Sequence, residues 1–134
     1  MMKTLLWFLP LAMMGAACSP PPLYEQTFES ACWDKSDTLR MTIPKGEPAV
    51  LELTFGAEFA YRNFFLQVES GGESFTLTDT LLDEGGNWLL PMKGDKVVWR
   101  SGNVPVAGDI RLYHYMRTDQ MCEVYQVRLL SGEK

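Results

Sequence analysis

Histidine is nearly absent. His114 is the only imidazole in 134 residues, and cysteine occurs three times. A metal site or a histidine-based nucleophilic triad therefore has little to draw on. Basic charge is also scarce. Twelve Lys and Arg face seventeen Asp and Glu, a net charge of −5. That balance argues against nucleic acid as a partner, because phosphate binding needs a basic surface. Apolar runs are too short to span a bilayer, which argues against a multi-pass membrane protein. Beyond Leu23, no stretch repeats apolar residues at i, i+3, i+4 and i+7 over three turns, so amphipathic helices are not expected. A GxSxG elbow, a phosphate-cradling glycine loop and an HExxH helix are all missing. No cofactor is expected. What is present, 46% apolar and 22% charged residues, is the composition of one globular domain.

The N-terminus reads as an address. Lys3 precedes a compact apolar run, Leu5 to Met14, followed by Gly15, Ala16, Ala17 and Cys18. This is the layout of a secretory signal over residues 1–17, and small residues directly before a cysteine point to lipoprotein processing. Cys18 would then carry the acyl chains and become the first mature residue. Anchoring energy grows by about 0.8 kcal/mol per buried methylene, so several chains hold a protein stably on a membrane. Residues 18–22 form an acylated cysteine and a proline-rich tether, and proline-rich tethers are stiff and extended. The domain proper is expected over residues 23–134.

An exported chain meets an oxidising compartment, where the remaining pair Cys32 and Cys122 reads as a disulfide rather than two buried thiols. In chain-entropy terms, closing a loop of that size is worth about 4.5 kcal/mol.

The body alternates with period two. Leu39, Met41 and Ile43 share a face, as do Leu51, Leu53 and Phe55, then Phe64, Leu66 and Val68, then Phe75, Leu77 and Leu81. Ile110, Leu112, His114 and Met116 form another such face, and Tyr125, Val127 and Leu129 the last. Gly71-Gly72 and Gly85-Gly86-Asn87 supply turns. The segment from Leu90 to Val106 offers only a short apolar piece near Val97–Trp99. Seven or eight short strands at even spacing predict an all-β fold, an antiparallel β-sandwich of Ig-like or jelly-roll-like kind.

Chemistry-bearing residues are few. His114 is in phase with Ile110 and Leu112, which makes it a hydrogen-bonded core residue rather than a general base. Asp79, Asp83 and Glu84 surround a glycine turn without the spacing of a calcium loop, so a solvated turn is expected. No metal site is expected. Aromatics off the core phase are the better clue to binding. Phe65 alternates away from the core beside Asn63, and Trp88 follows a turn. Two readings of Trp88 stay open: a binding residue, or a ring that folds back to close the sandwich.

Several segments, in order, resemble one family, the gliding motility-associated lipoprotein GldH. They are Cys32-Trp33-Asp34-Lys35, Tyr61-Arg62-Asn63-Phe64-Phe65-Leu66-Gln67-Val68, Thr78-Asp79-Thr80-Leu81, Asp83-Glu84-Gly85-Gly86-Asn87-Trp88-Leu89 and Tyr115-Met116-Arg117-Thr118-Asp119. Family members look like YxNLxLxV, TDTL, DxxGxWL and MRxD in the same order. The stretch between Trp88 and Gly108 departs from that pattern, and the Cys32/Cys122 pair looks like a local feature. The resemblance implies a non-catalytic lipoprotein of the cell envelope, held on the membrane by its lipid anchor. Its partners would be proteins of the gliding motility and type nine secretion machinery. The first acid after Cys18 is Glu25, and surface lipoproteins of such bacteria carry acids sooner. The domain is therefore expected to face the periplasm from the outer membrane.

The motifs raise one structural expectation. Asp79 falls in phase with Phe75, Leu77 and Leu81, which turns a carboxylate inward, and a buried charge needs a partner. Arg117, from the other motif, is the expected partner. Two rival functions remain: a lipoprotein that holds a ligand such as a glycan through Trp88, and a periplasmic enzyme or enzyme inhibitor with a pocket around His114 or Asp83/Glu84.

Overall fold

Strict alternation of apolar and polar side chains builds the architecture, because successive residues of a strand point to opposite faces. The computed structural model describes residues 21–43, 48–104 and 108–132. The expected signal segment, Cys18 as the expected acylation position and the start of the expected tether lie outside the described residues.

The described chain is all-β, and every strand pairing in it is antiparallel. The strands are β1 (Tyr24–Thr27), β2 (Cys32–Asp34), β3 (Leu39–Ile43), β4 (Ala49–Gly56), β5 (Asn63–Ser70) and β6 (Glu73–Thr80). They continue with β7 (Met92–Lys93), β8 (Lys96–Val104), β9 (Gly108–His114), β10 (Gln120–Cys122) and β11 (Val124–Ser131). One sheet runs β1-β11-β4-β8-β7, the other β3-β9-β5-β6, and β10 pairs with β2 alone. The β-sandwich is thus as predicted. It has more strands than seven or eight because four of them hold four residues or fewer, too short for alternation to register.

The inner faces are those read from the alternation. Leu39, Met41, Ile43, Leu51, Leu53, Phe55, Phe64, Leu66 and Val68 are all buried. Each fully buried side chain of this kind stabilises the fold by about 1.5–3 kcal/mol. The sheets meet through aromatic contacts. Phe64 of β5 stands edge-on to Trp99 of β8 with centroids 4.7 Å apart, and Phe55 of β4 tilts over Phe64 at 5.6 Å. Gly71 and Gly72 both take positive φ in the β5–β6 hairpin, a conformation that costs glycine little.

Two segments differ from expectation. The region expected as a short apolar piece is β8, nine residues long. Ser101-Gly102-Asn103 has turn composition, yet it pairs along β4 across a register shift between Val50 and Glu52. Ser101 is the device: its Oγ accepts the Leu51 backbone N–H at 2.9 Å where the ladder is irregular. In β11, Tyr125 is not an inward residue. A bulge between Val124 and Gln126 shifts the phase, so Val124 is buried in its place, while Val127 and Leu129 are inward as expected. The Tyr125 ring lies under the Lys96 ammonium, 4.1 Å from its centroid.

The two-stranded β2–β10 ribbon closes one end. Cys32 and Cys122 are directly opposed in it and form a disulfide, as predicted. Trp33, next to Cys32 in β2 and opposite Met121, is fully buried, stacks on Phe28 at 5.5 Å and donates its Nε1 hydrogen to the Asp37 carbonyl at 2.8 Å.

Candidate functional site

Beyond its last core residue, β9 leaves the sheet. The backbone N–H of Tyr115 still bonds the Phe65 carbonyl at 2.7 Å, which locks the segment after β9 against the start of β5. Alternation then turns Phe65 and Asn63 of β5 and Tyr115 to the outer side of the four-stranded sheet. There an open groove of about 530 Å³ is lined by Tyr61, Asn63, Phe65, Tyr115, Met116 and Arg117. Its size falls in the range of ligand sites.

The walls are aromatic and partly braced. Tyr61 packs edge-on against Phe59 at 5.5 Å, and its hydroxyl lies 3.2 Å from the Thr118 hydroxyl. Phe65 is 37% exposed and Tyr115 64%. Large apolar side chains left this open on a rigid sheet mark recognition surfaces. Met116 is buried beneath them. Its backbone N–H donates to Nδ1 of His114 at 3.3 Å, so the imidazole supports the groove from behind.

His114 is fully buried, as its phase predicted, and stands edge-on to Trp33 at 5.7 Å. Nδ1 accepts a hydrogen bond, so the proton of the neutral ring sits on Nε2, which has no hydrogen-bond partner among the described residues. Burial pushes the imidazole below its ordinary value, while the nearby Trp33 and Asp119 backbones offset part of that shift. Lys35 opposes the charged form and Asp34 favours it.

Charge around the groove is unevenly committed. On the same outer face, Arg111 is ion-paired with Glu69, which also accepts the Tyr113 hydroxyl at 3.0 Å. Burial, then the Glu69 bond, raises the Tyr113 phenol above its ordinary value. Arg117 makes no ion pair or side-chain hydrogen bond among the described residues.

The expected Asp79–Arg117 pair is therefore not formed. Asp79 does lie in register with the buried Phe64, on the inner side of β6, as its phase required. Its partner is Trp99 across the sandwich, whose Nε1 donates to Asp79 Oδ2 at 2.8 Å. β6 is an edge strand, so the carboxylate keeps access to water and needs no counter-ion. The bond ties the two sheets together, while Arg117 belongs to the groove rim.

The other predicted residues separate. Phe65 and Asn63 meet in the groove; Trp88 does not join them. Its ring tilts over Phe55 and Phe59 at 6.3 and 6.4 Å, and Nε1 donates to the Ala57 carbonyl at 3.3 Å. Trp88 is half-buried and packs onto the core, apart from the groove. Asp83 is committed to its own turn. Its Oδ1 accepts the Gly85 and Asn87 backbone N–H groups, both at 2.9 Å, and these bonds, that of Asn87 first, hold the carboxyl below its ordinary value. Sequence reasoning missed Tyr61, Tyr115 and Met116. Tyr115 carried the same signal as Phe65, an aromatic out of phase with its buried neighbours.

No family model matches this chain, and no curated protein does. Among solved structures, it is similar to the exo-inulinase from Aspergillus awamori, at 13% identity and a TM-score of 0.46 over 84% of this chain. That alignment spans 29% of the inulinase. It is also similar to the CBM35 from Cellvibrio japonicus Abf62, at 16% identity and a TM-score of 0.32, over 76% of this chain and 63% of that one.

Proposed function

We propose that the chain is a non-catalytic, lipid-anchored component of the cell envelope that binds a protein of the gliding motility and type nine secretion machinery. Cys18 carries the acyl anchor in the outer membrane, and the sandwich faces the periplasm. The groove is the binding face. One observation carries this reading: Tyr61–Val68 and Tyr115–Asp119, two of the segments that resemble the GldH family, lie some fifty residues apart and converge on the groove. They bring Tyr61, Phe65, Tyr115 and Arg117 to it, residue types enriched at the centres of protein interfaces.

The test is a crosslinked pull-down of the full-length protein from its own envelope, alongside a Cys18→Ala form. Motility and secretion components recovered with the wild type and lost with Cys18→Ala are the expected result. A wild-type protein that fractionates with the membrane and recovers none of them would refute the proposal.

A further inference from the structure

Resting on the protein-binding reading, we propose that the groove captures a carboxylate of the partner polypeptide, an Asp or Glu side chain flanked by an aromatic or aliphatic residue, with Arg117 as its counter-ion. Arg117 is the one charged side chain lining the groove, and it is uncommitted among the described residues. It sits on a molecule of net charge −5, so it is a local inversion of the prevailing sign. The neighbouring Arg111 is already neutralised by Glu69. A guanidinium presents a planar fork that fits a carboxylate in two parallel hydrogen bonds.

The rest of the groove sets the company that carboxylate keeps. Phe65, Tyr115 and the braced Tyr61 ring provide apolar walls on either side of Asn63. Besides the guanidinium, the groove-lining polar side-chain groups uncommitted among the described residues are the Asn63 amide and the Tyr115 hydroxyl. Three such groups suit a short stretch of polypeptide with one charged side chain. They are too few for an acidic sugar, whose ring hydroxyls would be desolvated against aromatic walls without partners. The amide also offers both a donor and an acceptor to a passing backbone.

The test is selection from a displayed random heptapeptide library on the full-length protein in detergent. Wild type is compared with Arg117→Glu, Arg117→Lys and Arg40→Glu, the last an exposed charge on another strand. The expected enrichment is for Asp or Glu next to an aromatic or aliphatic residue. A synthetic enriched peptide is expected to bind Arg117→Glu at least tenfold more weakly, Arg117→Lys at an intermediate level, and Arg40→Glu like wild type. Melting temperatures of the Arg117 variants should match wild type, because the side chain is exposed and unpaired. Enriched peptides without an acidic position, or equal binding to Arg117→Glu, would overturn the proposal. So would selective binding of galacturonate oligomers with no peptide enriched. The two proposals fail separately. Envelope partners recovered equally by wild type and Arg117→Glu would leave the protein-binding role and remove the carboxylate site. Peptides that bind as expected without any envelope partner would do the reverse.

Discussion

Glu52 offers the sharpest test of how the five-stranded sheet is held. It lies on the outer side of β4, yet its side chain is only 6% exposed. Arg100 Nε donates to Oε2 at 2.7 Å, and Arg128 Nε lies 3.1 Å from Oε1, at ion-pair distance but out of hydrogen-bond alignment. The arginines keep 63% and 31% of their side chains in water, so the acid is the desolvated member. Removing it and removing its partners are therefore unequal perturbations. In Glu52→Leu Arg100 stays largely in water, Arg128 keeps Glu25 at 3.8 Å, and an apolar side chain fills the space, an exchange that is often neutral or stabilising. We expect a change within about 1 kcal/mol. In the Arg100→Met/Arg128→Met double variant, a carboxylate stays buried without counter-charge. Breaking a fully buried pair costs about 3–5 kcal/mol; with one partner largely in water, we expect about 3. Urea unfolding of the oxidised protein, followed by tryptophan fluorescence, reads both through the buried Trp33 and Trp99. Single arginine variants should fall between the two. A Glu52→Leu loss equal to or larger than that of the double variant would refute the reasoning, since the desolvated charge would then not be the governing quantity.

Three further outcomes are expected. Replacing Cys32 and Cys122 with serine releases a cross-link between residues 90 apart, and should lower the unfolding free energy by about 4.5 kcal/mol, read by urea titration against the oxidised wild type. His114 is held below its ordinary value of 6.5 by burial. The unfolded chain therefore takes up a proton first, and the stabilising contribution present above pH 6.5 is lost as pH falls toward the folded value; urea midpoints at pH 7.5 and 5 should show this drop, and His114→Gln should reduce it. Asp79→Ala removes the acceptor of Trp99 and should cost about 1 kcal/mol at this partly hydrated site, whereas Arg117→Ala should leave the melting temperature unchanged; equal losses would revive the ion pair between them.

Local patterning was legible because it is a property of neighbours along the chain. Period-two alternation named the inner faces of β3, β4, β5 and β9, placed His114 in the core and turned Phe65 outward. The Gly71-Gly72 pair marked the β5–β6 hairpin, and cysteine count with the expectation of export announced the disulfide. Phase also put Asp79 on the inner side of its strand. Its partner was out of reach, because Trp99 meets it only when two sheets stack. The length of β8 and the inward turn of Val124 were equally hidden, since a register shift and a bulge are set by the opposing strand rather than by composition. Trp88 was left open between two readings for the same reason: the Phe55, Phe59 and Ala57 that receive it are remote in sequence. The sequence by itself determined the fold class, the core faces and the residue types available for binding, all consequences of side-chain spacing. Only the tertiary structure decided that Tyr61, Asn63, Phe65, Tyr115 and Arg117 share one groove, because that depends on β9 pairing with β5 across the 37 residues between Ser70 and Gly108.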